Sequence, residues 1–219
     1  MSTAIAMVGE YHKINSVFKR DQRGRLMHGD WSQPDFEYLA DCQWTYTEKV
    51  DGTNVRIGWD GEHLSLGGRT DNAQMPTFLV AKLQDLFSPE SLAAAFPDIT
   101  RESPLTLYGE GYGRKIQKVG SLYNPSGVDF VLFDVRIGQW WLERPNVDDI
   151  ASKLNIRAVP VIGYGTLHEA IDLARGGITS QWGEFEAEGL VARPKVKLRD
   201  RRGYRVIAKV KTKDFRETA

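Results

Sequence analysis

The sequence predicts an α+β fold built on antiparallel sheets, and three observations carry that expectation. Short alternating runs arrive in pairs joined by turn residues, as hairpins do. Helical periodicity is confined to a few stretches that fall irregularly among them, which excludes a regular βαβ alternation. No repeat, low-complexity tract or linker-like segment interrupts the 219 residues, so 1–219 is expected to form a single domain with a full core.

"NVRIGWDGEHLSL", residues 54–66, sets Asp60-Gly61 between two alternating runs and predicts a tight hairpin. Pro76 at the first position of "PTFLVAKLQDLF" opens a helix with apolar residues at helical spacing. "PLTLYGE" reads as a buried strand, and "DFVLFDVRIGQWWLE" as two strands folded at Ile137-Gly138. Adjacent Trp140 and Trp141 must then face opposite ways, with core packing expected for at least one. "NVDDIASKLN" predicts a helix capped by Asn146, and "TLHEAIDLARGG" one with a capping box of Thr166 and Glu169 that stops at Gly176-Gly177. "EGLVAR" is a further buried strand, and "YRVIAKVKTK" alternates with its lysines on one face.

Composition narrows the function classes. At 41% hydrophobic and 26% charged, the chain reads as an ordinary globular protein rather than a disordered one. It lacks an apolar run of membrane-spanning length, and "MSTAIAMVGEYHK" lacks the basic start and apolar core of a secretory signal. Cys42 is the only cysteine, which fits a reducing cytoplasm. Net charge is zero, yet eleven basic residues lie between Arg193 and Arg216 with only Asp200 and Asp214 against them. That segment is either a solvated loop or a contact surface for phosphates.

Several familiar sites are missing. "GEGYGRK" places Arg114 where a dinucleotide loop needs its third glycine, and neither a P-loop nor a G-x-S-x-G elbow occurs. The four histidines are scattered, without paired cysteines that would hold zinc. What remains is "TEKVDGTN", residues 47–54: Lys49 at the end of an alternating run, just before a glycine-containing turn. Alone the pattern is either a surface turn or a nucleophile. A nucleophilic lysine must lose its proton, and at a pKa of about 10.4 only roughly one in 2,500 is neutral at pH 7. Neighbouring positive charge raises that fraction. Lys209 and Lys211, at i and i+2 on a strand, can aim two ammonium groups at one phosphate.

After "EKVDGTN" come, in order, "GGRT", "LYGEGYG", "FVLFDV", "EGLV" and "AKVKTKDF". With these motifs the chain resembles the covalent nucleotidyltransferases, the ATP-dependent polynucleotide ligases and capping enzymes. Among them it is most similar to phage-type RNA ligases that seal duplex RNA, whose opening also resembles "YHKINSVFKRD". The likeness spans roughly residues 10 to 216. It implies an adenylyltransferase fold with a nucleotide cleft between antiparallel sheets. It departs from the family in lacking the C-terminal barrel or helical domain that would follow Lys211.

The resemblance implies an ATP-dependent RNA ligase joining 5′-phosphate and 3′-hydroxyl ends through lysyl-AMP and an AMP-capped strand. The alternatives are a DNA or mixed-substrate ligase and a non-catalytic nucleic-acid binder. Lys49 would attack the α-phosphorus of ATP while Lys209 and Lys211 hold the phosphate. Glu188 would hold magnesium, with manganese as a substitute, and Glu110 would bind ribose or assist with the metal; both are otherwise surface acids. Phe133 would stack on adenine, or belong to the core. Arg69 would bind ribose or phosphate, or end a hairpin, and Glu48 and Asn54 would position the nucleotide and the turn. Asp51 would orient Lys49 or cap the turn. Arg199, Arg201, Arg202 and Arg205 would face RNA, duplex or nicked in form by the resemblance, for a monomer acting in the cytoplasm, that of a host if phage-encoded.

Overall fold

The computed structural model describes residues 9–216. The opening stretch read for a secretory signal lies, through residue 8, outside the described residues. In chain order the strands are β1 (Asn15–Ser16), β2 (Phe18–Arg20), β3 (Leu26–Trp31), β4 (Trp44–Glu48), β5 (Thr53–Trp59), β6 (Leu64–Gly67) and β7 (Leu105–Gly113). They continue as β8 (Val128–Ile137), β9 (Trp140–Trp141), β10 (Arg157–Ala158), β11 (Val161–Gly165), β12 (Gly189–Pro194) and β13 (Ala208–Lys211). The helices are α1 (Pro34–Tyr38), α2 (Thr77–Leu86), α3 (Pro89–Ala95), α4 (Gly120–Tyr123), α5 (Arg144–Lys153) and α6 (Leu167–Gly176), with a 3-10 turn at Thr212–Phe215. Strands and helices arrive irregularly, as an α+β chain should.

The chain divides into two compact units. The first holds the segment up to Tyr11 together with Asp51–Val159. Its six-stranded sheet runs β10-β8-β7-β5-β6, with β9 paired to β8. Alternation sends Val55, Ile57, Trp59, Leu105, Leu107, Phe130 and Leu132 to one face, where Leu79 and Leu83 of α2 and Val147 and Ile150 of α5 close a core. Backbone approach is tight here. A Cβ on Gly109 would fall on the Phe130 ring and the Val131 carbonyl, which leaves glycine as the residue that fits.

The second unit holds His12–Val50 and the segment from Pro160. Its five-stranded sheet runs β1-β13-β12-β4-β11, beside the β2-β3 hairpin. Trp44, Tyr46, Leu190, Ala192, Ala208 and Val210 pack against Leu167, Ala170, Ile171 and Ala174 of α6.

Several expectations hold in detail and others shift. The capping box of α6 forms, Thr166 Oγ1 accepting from the Glu169 N–H at 3.1 Å. Asp60-Gly61 does join β5 to β6, but as a four-residue connection in which the Asp60 carboxylate accepts from the N–H groups of Glu62 and His63. The helix expected with Asn146 as its cap begins three residues earlier, with Glu143 at its N-cap and Pro145 in its first turn. Pro76 caps α2 rather than opening it. "YRVIAKVKTK" contributes only Ala208–Lys211 as strand, and β1 and β10 pair parallel at the sheet edges. Trp140 is 78% exposed, whereas Trp141 is half-buried and packs on the buried rings of Tyr108 and Tyr11.

Candidate functional site

In the second unit, β4 ends at Glu48, and the Lys49 N–H donates to the Gly189 carbonyl at 2.9 Å, which fixes Lys49 beside the start of β12. Its Nζ donates to Glu188 Oε2 at 2.5 Å, and the other Glu188 oxygen, Oε1, takes the Lys211 ammonium at 2.6 Å. One carboxylate thus bridges two lysines that lie 162 positions apart in sequence (211 − 49). β13 brings in Lys209 by alternation: Ala208 and Val210 enter the core, leaving Lys209 and Lys211 on the face away from α6.

The electrostatics follow from crowding. Burial, reinforced by the positive charges of Lys211, Lys49, Lys13 and Arg20, holds the Lys209 ammonium below the usual lysine range. Burial works against ionisation of Glu188, yet Lys49 and Lys211 more than offset it and keep the carboxyl below its usual range. The cluster is therefore cationic, with one carboxylate tying it together.

Glu48 has a different place. It stands opposite Leu190 on the core face, with its carboxylate accepting from Ser180 Oγ at 2.6 Å and the Gln181 N–H at 2.8 Å. Burial raises its pKa despite these bonds. Glu48 lies on the opposite face of the strand end from Lys49 by alternation, and its oxygens anchor the 180–181 loop.

In the first unit, Asn54 and Glu110 are register partners on β5 and β7, on the face away from α2. Asn54 Oδ1 is buried and lacks a hydrogen-bond partner among the described residues, the kind of atom a ligand satisfies. Gly52 sits where a Cβ would meet the Gly111 carbonyl and, at 2.7 Å, Glu110 Cγ, which explains the glycine of K-x-D-G. Asp51 precedes it with its N–H directed at Tyr123 Oη at 3.4 Å. Arg69 is exposed just beyond β6.

Phe133 is half-buried on a β-bulge. Tyr108 aligns with Asp134 and Gly109 with Leu132, so Phe133 is the extra residue of β8. The bulge turns both Phe133 and Asp134 toward Tyr11. Tyr11 meets the Phe133 ring edge-on at 5.0 Å and donates from its hydroxyl to Asp134 Oδ2 at 2.7 Å. Sequence reasoning missed Tyr11, Asp134 and the buried Arg56, whose guanidinium donates to the Gly68 carbonyl at 2.6 Å and to Asp71 at 2.9 Å. A lone arginine inside an alternating run gave the only signal.

The four arginines of the basic segment gather at one exposed turn, where Arg199 and Arg205 bridge across a tip closed by Asp200. Arg199, Arg201 and Arg202 are exposed and Arg205 is half-buried.

The RNA ligase family model matches residues 43–211, which takes in Lys49, Glu188, Lys209 and Lys211. The chain belongs to the RNA ligase family. A comparison with curated proteins finds no match. Among solved structures, the family likeness extends to the Naegleria gruberi RNA ligase with PPi, at 20% identity and a TM-score of 0.64, over 94% of this chain and 62% of that one. A lysine-to-alanine variant of that ligase with ATP and Mn matches at 20% identity and a TM-score of 0.64, over 83% and 52%. A glutamate-to-alanine variant with ATP and Mn matches at 21% and 0.63, over 93% and 58%. This RNA ligase family chain therefore spans roughly half to three-fifths of the length of those relatives, and at such identity the likeness shows the fold.

The donor set can be weighed against a divalent cation. Among the described residues no group of three or more His, Cys, Asp or Glu side chains could cage a metal. Glu188 stands as a single carboxylate amid lysines. That suits magnesium, which keeps several waters and is held by one or two carboxylates together with substrate phosphates. Among the described residues no helix is long and apolar enough to cross a membrane.

Proposed function

We propose that this chain carries the adenylyltransferase chemistry of an ATP-dependent RNA ligase that joins 5′-phosphate and 3′-hydroxyl ends. The observation that carries the reading is the Lys49–Glu188–Lys211 bridge with Lys209 beside it, inside the segment that matches the family. Attack requires the amine form of Lys49, its proton passing to solvent, while Glu188 Oε2 in contact with Nζ holds the side chain in place. The neutral amine then attacks the α-phosphorus of ATP; the N–P bond forms as the bond to the bridging oxygen of pyrophosphate breaks. Lys209 and Lys211 hold the non-bridging oxygens, where negative charge builds. A bound magnesium ion, held by Glu188, would neutralise further phosphate charge.

Transfer follows the same logic. The 5′-phosphate of RNA attacks the lysyl-AMP phosphorus, Lys49 leaves and takes up a proton, and the strand carries AMP. The 3′-hydroxyl then attacks that 5′-phosphorus and AMP departs. Asn54, with its orphan oxygen, and Glu110 suit sugar hydroxyls, Phe133 suits the adenine face, and Arg69 suits ribose or phosphate oxygens. The exposed arginines at 199, 201 and 202, with the half-buried Arg205, suit RNA phosphates. Asp51 acts as a turn residue ahead of β5.

The test is joining of matched nicked substrates, RNA in one arm and DNA in the other, with ATP and magnesium. Sealing of RNA supports the reading; sealing of DNA alone, or of neither, removes it.

A further inference from the structure

The basic turn near the C-terminal end has a structure that charge alone does not require. Between Arg193 and Arg205 seven basic side chains face Asp200 alone. Its base is anchored: the Val206 N–H donates to the Leu198 carbonyl at 3.0 Å, and both side chains pack on the second unit's core. Its tip is ordered. Asp200 accepts from the N–H groups of Arg202 and Tyr204 and is gripped by the Arg202 guanidinium through Nε at 3.1 Å and Nη2 at 3.0 Å. Gly203, at φ +85°, makes the reversal possible.

This network aims one arginine at one ring. With its guanidinium held by Asp200, Arg202 lies over Tyr204 at 5.5 Å from the ring centroid. Tyr204 nonetheless remains 56% exposed. A single exposed aromatic is ordinary on a protein surface. Here its backbone is tied to Asp200, its ring is backed by a cation, and the same tip carries charge to spare: the exposed Arg201 side chain forms no hydrogen bond or ion pair among the described residues. Aromatic rings interleaved with cations are what an unpaired nucleic-acid strand recognises, because every base has a π-face and every nucleotide a phosphate.

We propose that Tyr204, backed by Arg202, is a stacking platform for an unpaired base of the RNA, which gives this turn a preference for single-stranded segments over continuous duplex. A base within a helix has both faces covered by its neighbours and cannot use the ring; a flipped or terminal one can. Arg201, on the same tip, then takes a flanking phosphate. The inference rests on the reading of RNA as the partner, and it deepens that reading by naming the form of RNA the turn grips.

The test is binding without ATP, by fluorescence anisotropy, of two probes: a 5′-phosphorylated single-stranded RNA of about 12 nucleotides, within the site sizes such surfaces cover, and a blunt RNA duplex. Tyr204→Ala should weaken single-strand binding about 10-fold and leave duplex binding within about 2-fold. Tyr204→Phe should bind both probes as the parent does. Arg201→Ala should weaken both and lower the single-strand salt slope by about 0.7, one phosphate contact. Unchanged single-strand binding in Tyr204→Ala, equal losses on both probes, or a loss in Tyr204→Phe would overturn the platform. Lysyl-AMP formation without RNA is followed in parallel. Its absence in the parent protein sinks the ligase reading, while the probe contrast still decides the role of Tyr204.

Discussion

In the sheet of β4, β12 and β13, the face away from α6 is set by charge: Lys49, Lys209 and Lys211 gather around Glu188. In the sheet of β5, β7 and β8, the face away from α2 is set by shape: a bulged Phe133, the Tyr11 ring against it, and an asparagine oxygen left over. The contrast shows two ways a strand can present function. Charge needs only alternation, since any ammonium on the right face reaches a phosphate. Shape needs a break in alternation, because an aromatic ring must be aimed, and the bulge with its props from distant residues does the aiming.

The largest effect should fall on the charged sheet. Lys211→Ala removes a phosphate donor and one of the two cations on Glu188, and should slow adenylylation by about 10²–10³-fold. Its melting temperature should stay close to the parent's, measured by calorimetry. If Lys211→Ala adenylylates like the parent, the charged face is structural and the contrast fails.

Gly109→Ala attacks the shaped sheet from behind. The new methyl would meet the Phe130 ring and the Val131 carbonyl, next to the bulge. An overpacked site of this kind costs typically 1–3 kcal/mol, and the added backbone clash places this one at about 3 kcal/mol. Urea titration should show it, with adenylylation at low temperature largely retained.

Phe133→Ala should raise the KM for ATP about 10-fold, the scale of one base–aromatic stack, with kcat falling less. Tyr11→Phe breaks the bond to Asp134 while keeping the ring, and should reproduce a fraction of that change. Equal KM in all three proteins would assign Phe133 to packing.

Glu48 separates the two faces of one strand. Its carboxyl is raised by burial, so its contribution to stability is greatest below the usual value of 4.5 and declines as pH climbs through the raised one. Glu188 has the opposite sign: held low by Lys49 and Lys211, it contributes above 4.5 and loses that contribution as pH falls. Glu48→Gln keeps an acceptor and gains a donor for Ser180, so it should cost under about 1 kcal/mol. Its stability relative to the parent should improve from about pH 4 to about pH 8, read by chemical denaturation. A fixed difference across that range would remove the buried-carboxyl explanation.

How much of this was legible follows the same division. Lys209 and Lys211 could be picked out because a strand's period of two survives folding, and a K-x-K pair keeps its face wherever the strand goes; Lys49 and Glu188 were legible only through the ordered motifs of the family the chain resembles. The capping box of α6 was legible because it is local. The start of α5 was not, since a glutamate that makes no side-chain cap leaves no local signal. The anchoring of Glu48 to Ser180 and Gln181, 132 and 133 positions away, was not legible, because no short window holds both ends of such a bond. The bulge at Phe133, the Tyr11–Asp134 bond spanning 123 positions, and the burial of Arg56 depend on contacts that no short window contains.

The most direct measurement is the location of the transferred nucleotide. The protein is incubated with ATP and magnesium, digested, and its peptides weighed. The account predicts a single adenylyl group on the peptide bearing Lys49, joined through nitrogen and therefore released by acid but stable to base. An adenylyl group on any other residue, or none on a folded protein that binds ATP, would contradict it.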